Sequence, residues 1–198
     1  MARMKANEEK TVKLILLKEG IYDLEKNVII KCPISIHGAG QNKTIIQGKG
    51  IAIRGTKEEK KRVNMQDFTM KGSSEFGLYN ENGLSFLCTR MTFTQCGYTG
   101  VYAQNTKGRL INCVITQCGG NGIICMGYAL IELEGSQTKV DGNVISGGGY
   151  GLYTYSTSST IHLLFPLTKE SVSTNNHGAG NYGGRGTIET VKSFDTFA

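Results

Sequence analysis

Residues 77–124, GLYNENGLSFLCTRMTFTQCGYTGVYAQNTKGRLINCVITQCGGNGII, say one phrase twice and begin it a third time. The triplets Gly77-Leu78-Tyr79, Gly100-Val101-Tyr102, Gly122-Ile123-Ile124 and Gly151-Leu152-Tyr153 recur at steps of 23 (77 to 100), 22 (100 to 122) and 29 (122 to 151). Between them, Met91-Thr92-Phe93-Thr94-Gln95-Cys96-Gly97 returns as Cys113-Val114-Ile115-Thr116-Gln117-Cys118-Gly119, 22 residues on (91 to 113). Phe68-Thr69-Met70-Lys71 reads as an upstream copy and Asn143-Val144-Ile145-Ser146-Gly147 as a downstream one. Self-similarity at a period of roughly 20–50 residues marks a repeat architecture. Each unit holds only short strand-like runs, and no long apolar stripe of helical period appears. The phrase therefore predicts a β-solenoid with one coil per repeat.

In such a coil, side chains alternate between inside and outside, and equivalent positions stack on successive rungs about 4.8 Å apart. Leu78, Val101, Ile123 and Leu152 are expected inside, so Tyr79, Tyr102, Ile124 and Tyr153 form an outward column. Met70, Phe93, Ile115 and Ile145 are expected as an inward ladder, with Met91 over Cys113 and Cys96 over Cys118 as others. The six cysteines, Cys32, Cys88, Cys96, Cys113, Cys118 and Cys125, show no metal-type spacing. They are expected as small core hydrophobes rather than disulfides, which points to a reducing compartment. No signal-peptide core or membrane span is visible, and a cytoplasmic location is the expectation.

Composition agrees with a turn-rich β-protein: 27 glycines, 2 prolines and 39% apolar residues in 198. The net charge of +6 is uneven, because residues 1–71 carry 15 Lys/Arg against 8 Asp/Glu and the remainder carries 7 against 8. A basic first third attracts anionic partners or simply keeps one end solvated. From Thr11 the chain reads as short β-branched runs closed by Gly, Asn or a charge. Lys57-Glu58-Glu59-Lys60-Lys61-Arg62 interrupts them as a protruding loop, and residues 175–186, NNHGAGNYGGRG, read as a long polar loop. Phe194 and Phe197 are placed to cap the open end of the core.

Residues 17–48, LKEGIYDLEKNVIIKCPISIHGAGQNKTIIQG, closely resemble the opening coils of right-handed parallel β-helix proteins of the pectate-lyase-like superfamily. Residues 108–123, GRLINCVITQCGGNGI, resemble that superfamily's parallel β-helix repeat, and the likeness extends over roughly residues 11–191. It implies an all-β, single-stranded right-handed parallel β-helix of about six or seven coils. Residues 1–10 and 192–198 are then polar tails or caps. The fold carries lyases, hydrolases, esterases, epimerases, tailspikes and non-catalytic recognition repeats, so function must come from a site.

The enzyme motifs that the resemblance implies are absent. Calcium-binding aspartates beside a basic residue, the clustered aspartates of polygalacturonases and the two-aspartate, one-arginine set of methylesterases all lack counterparts. Asp23, Asp67, Asp141 and Asp195 are scattered. Alternation brings Glu132 and Glu134 to one outer face with His162 in register one coil later. That set reads either as an acid/base cluster or as a cross-strand pair on a solvated sheet. Thr92, Thr94, Thr116 and Ser146 make a partial threonine row broken by Lys71 and Val114.

Tyr79, Tyr102 and Tyr153, with Tyr155 nearby, are a column on which sugar rings or a protein surface can pack, or ordinary strand tyrosines packing on one another. The resulting expectation is a monomeric, non-catalytic module binding a carbohydrate, acidic or not, or a protein along its outer face. A polysaccharide-active enzyme with an atypical site and a ligand-free scaffold are the alternatives. No cofactor, metal site or nucleic-acid motif is called for.

Overall fold

A computed structural model describes residues 13–56, 61–144 and 147–192. The chain winds as a parallel β-solenoid of about seven turns, each laying one strand on each of three sheets. The first sheet has eight strands and the second and third seven each. Coil four shows the pattern: Ser85–Thr89 on the first sheet, Thr92–Thr94 on the second, Thr99–Gln104 on the third. Coil five repeats it with Lys107–Ile111, Val114–Thr116 and Ile123–Met126. Tyr102 pairs with Tyr79 below and Ile124 above, and Phe93 with Met70 and Ile115, so the two copies of the phrase lie in register.

The recurring glycine has a steric cause. A Cβ on Gly77 would lie 2.7 Å from the Gly100 carbonyl oxygen and 2.9 Å from the Phe93 ring. One on Gly100 would lie 2.4 Å from Ile115 Cγ2 and 2.9 Å from the Gly122 carbonyl oxygen. The corner between the second and third sheets is tight, and its inner side is already filled by the Met70–Phe93–Ile115 ladder. Other turns are set by stacked positive-φ residues, such as Gln95 (φ 55°) under Gln117 (φ 55°) and Asn82 (φ 55°) under Asn105 (φ 50°). Asn tolerates that region better than most residues. The Asn105 amide also donates to Asn82 Oδ1 at 2.8 Å and accepts from the Tyr128 N–H at 3.0 Å, tying three turns together.

The core is the single column these rungs enclose, with Phe68, Phe86, Phe93, Leu78 and Ile123 all fully buried. All six cysteines are free, five of them buried. The Cys96 and Cys118 thiols donate to the Thr94 and Thr116 carbonyls of the preceding strands, and burial pushes the Cys113 thiol up to about 12.

Two readings need correction. The rung above Ile115 is Val140, in the strand Lys139–Asp141, and not Ile145. The sixth coil is longer, and Gly142 (φ 62°), Asn143 and Val144 (φ 64°) follow that strand as a turn. Residues 175–186 are not one loop. Gly180–Gly184 is the last strand of the third sheet, pairing Tyr150 with Gly180 and Leu152 with Tyr182. Glycine hides the alternation there while the backbone still completes the ladder. A four-residue helix, Lys169–Val172, started by a capping box at Thr168, leads into the last strand of the second sheet and buries its own Val172 in the core. The expectations for residues 1–10 and 57–60, and for Ile145, Ser146, Phe194 and Phe197, fall outside the described residues. Among the described residues, no helix is long and apolar enough to cross a membrane.

Candidate functional site

The outward column of the third sheet runs Ile29, Ala52, Tyr79, Tyr102, Ile124, Tyr153, Gly183. Tyr79 and Tyr102 stack, with ring centroids 4.9 Å apart and planes 11° from parallel. Ile124, only 5% exposed, separates them from Tyr153. Tyr153 instead stacks on Tyr150 of its own strand at 5.3 Å, with Tyr155 edge-on at 6.1 Å. The four predicted tyrosines thus form two clusters rather than one continuous column.

The first cluster contains more than alternation foresaw. Phe76 meets Tyr79 at 5.1 Å, Tyr102 at 5.3 Å and Tyr98 at 5.6 Å. Each of Phe76 and Tyr150 stands one residue before the triplet glycine. Reading the repeat as aromatic-Gly-Leu-Tyr would have found both. The Tyr79 hydroxyl donates to the Glu81 carboxylate, and the Tyr102 hydroxyl donates to Gln104 Oε1 at 2.5 Å. Burial, then that bond to Glu81, pushes the Tyr79 phenol up to about 12, and burial raises Tyr102 as well.

The stack ends at Ala52. This methyl occupies the column position where neighbouring rungs hold Ile29 and Tyr79, so one face of Tyr79 is not covered by a column side chain. The resulting cavity, about 260 Å³, is lined by Asn27, Gly50, Ala52, Arg54, Glu75, Phe76 and Tyr79 among others. The Arg54 guanidinium carbon lies 4.9 Å from the Tyr79 ring centre, with one nitrogen 3.8 Å from Glu81. Aromatic surface, the Glu75 carboxylate, a guanidinium and an amide thus line one notch, an arrangement suited to a polar ring with one apolar face.

On the first sheet, Glu132 and His162 are in register. The outward row reads Leu87, Arg109, Glu132, His162, Glu189 on successive coils. Arg109 donates to Glu132 through Nε at 2.8 Å and lies 3.7 Å from Glu134. His162 Nε2 is 3.6 Å from Glu189. Glu132 is 1% exposed, held under Arg109. The sequence reading missed Arg109 because it followed the row upward from Glu132 and not downward. No three His, Cys, Asp or Glu side chains converge as a metal cage among the described residues.

No curated protein and no solved structure matches the sequence. Residues 49–191 match the family model described as the right-handed beta helix region, and the chain belongs to that family.

Proposed function

We propose that the protein is a non-catalytic β-helix module that binds a carbohydrate on its third sheet, at the open end of the Tyr79–Tyr102 stack. The observation that carries this reading is the notch beside Ala52, where a ring face of Tyr79 meets Arg54, Glu75 and Asn27. Sugars pair an apolar C–H face with a hydroxyl rim, and aromatic side chains with a few placed polar groups are how proteins hold them. The likeness of the opening coils to the pectate-lyase-like superfamily supports a glycan over other ring-shaped ligands. The enzymatic alternative rests on Glu132, Glu134 and His162. There Arg109 pairs with Glu132 and Glu134, and His162 lies against Glu189, contacts that suit cross-strand pairing better than proton transfer.

The test is a glycan array followed by calorimetry on the hits. A sugar ligand is expected whose affinity falls at least about tenfold in Tyr79→Ala, in keeping with loss of a buried aromatic contact. Wild-type protein that binds no glycan, or a Tyr79→Ala variant that binds as well as wild type, removes the proposal. Uronate polysaccharides incubated with the protein and calcium should yield no unsaturated ends.

A further inference from the structure

We infer that the protein forms a weak two-fold dimer through its first coil, the outer edge of each copy pairing antiparallel with that of the other. The inference is independent of the carbohydrate reading and departs from the monomeric expectation drawn from the sequence.

The ladders define the edge. Leu14–Leu16, Gly20–Asp23 and Val28–Ile30 each stand last in their sheets, so among the described residues no strand lies beneath them. Bonds to the second coil use alternate residues. The Lys13 carbonyl accepts from the Ser35 N–H, and the Leu17 N–H donates to the His37 carbonyl. Gly20, Leu24 and Val28 donate in the same way to Lys43, Gln47 and Gly50, and the Ile30 carbonyl accepts from Arg54. Strand alternation then leaves Leu14, Leu16, Ile21 and Ile29 with N–H and C=O turned away from the second coil.

The side chains of these four residues also point outward, because Ile15, Tyr22, Val28 and Ile30 lie under the buried Ile36, Ile46, Ile51 and Ile53. Leu16, Ile21 and Ile29 are 71%, 62% and 57% exposed. Over Leu14 and Leu16 the second coil carries Ser35 and His37, so on this sheet the apolar rim belongs to the end and not to the face.

Such an edge calls for a partner strand with an apolar rim of its own, and a second copy supplies it. A two-fold axis through Ile15 sets Leu14 opposite Leu16 of the second copy, and Leu16 opposite its Leu14. Each of those pairs exchanges two backbone hydrogen bonds, while Ile15 falls at the non-bonded position. Ile15 points inward and is 38% exposed, so there the two cores meet. The coil runs in the reverse sense in the second copy, which brings Gly20–Asp23 beside Val28–Ile30 and Ile21 beside Ile29. A two-fold contact needs a self-complementary patch, and Leu-Ile-Leu reads the same in both directions.

Charge permits the contact. Residues 13–31 hold Lys13, Lys18, Lys26 and Lys31 against Glu19, Asp23 and Glu25, so this end is nearly neutral and two copies do not repel. The opposite end does not match it. Its second-sheet strand, Ser173–Thr174, has two residues where Gly20–Asp23 has four, which favours a closed pair over head-to-tail stacking. One coil per copy is a small contact, so the dissociation constant is roughly micromolar or weaker. At dilution the first coil is free.

Sedimentation equilibrium of the full chain from roughly 1 μM to 1 mM should show the mass rising from one chain toward two and no further. Leu16→Lys and Ile21→Lys should each weaken association by about tenfold or more, because the joint would desolvate a charge. Both side chains already face solvent, and melting curves that match wild type confirm that the variants fold. Tyr128→Lys, at an 80% exposed site on the fifth coil, should leave association unchanged. Hydrogen exchange gives a reading that needs no variant: the Leu14–Leu16 amides should slow as concentration rises. A chain that stays monomeric throughout the range overturns the inference and leaves residues 1–12 or another protein to cover the edge. Mass that climbs past two chains means head-to-tail stacking and also overturns it. So does a dimer that Leu16→Lys and Ile21→Lys leave intact, one that Tyr128→Lys weakens equally, or exchange that ignores concentration.

Discussion

Tyr79 has three neighbours that define its chemistry: Tyr102 on one face, Arg54 on the other and Glu81 at its hydroxyl. Burial and the Glu81 bond favour the protonated phenol, raising it from 10.0 to about 12. A folded pKa above the unfolded one means the folded protein holds that proton more tightly. The resulting stability is complete below pH 10 and is lost as pH rises through 12. Tyr79→Phe cannot show that loss. Urea denaturation across this window should therefore give a shallower decline for the variant than for wild type, and parallel curves would refute the assignment. Tyr102 is raised in the same direction and leaves a residual slope in both proteins.

The corner between the second and third sheets is the element that the repeated triplet encodes. Gly100→Ala would push a methyl to 2.4 Å from Ile115 Cγ2, with the Gly122 carbonyl at 2.9 Å on its other side. Overpacking of this kind costs about 1–3 kcal/mol. Gly148 provides the comparison, because the methyl that alanine adds there would meet no heavy atom within 4 Å. Gly148→Ala should change stability by less than about 0.5 kcal/mol, as surface changes usually do. Equal denaturation midpoints for the two variants would mean the corner is looser than these distances imply. The sequence made these elements legible wherever one coil copies the next, because side-chain identity then reports the rung. Gly77 to Ile124 is such a stretch. Val140 was missed because the sixth coil is longer, which shifted the apparent copy onto Ile145. Gly180–Gly184 was missed because glycines report no face at all. The site was legible only in part: Tyr79 and Tyr102 follow from alternation, but Arg54, Glu75 and Asn27 meet there across three coils of chain. The notch exists because of what Ala52 lacks, and a missing side chain leaves no motif.

Across the solenoid, burial is graded. Leu14, Ile15 and Leu16 in the first coil are 46%, 38% and 71% exposed, while Phe86, Cys88 and Phe93 in the fourth are fully buried. In a stack where each coil touches only its neighbours, stability sums from local and interface terms. Amides of Leu14–Leu16 should exchange with solvent well before those of Ser85–Thr89, as followed by hydrogen exchange and mass spectrometry. Uniform protection along the axis would show instead that the array opens as one unit. The charge gradient runs the same way, with the basic excess in residues 1–71, the part of the chain that also contributes Asn27 and Arg54 to the notch.

The corner at Gly77, Gly100, Gly122 and Gly151 meets the same surroundings from one storey to the next, a carbonyl ahead and a packed side chain within. Copying one such storey into the gene would add height and create no new joint to solve. Length is thus the dimension along which this architecture can drift most freely, whereas the slot beside Ala52, made by one local departure from the pattern, would be carried along intact at a fixed distance from the first storey.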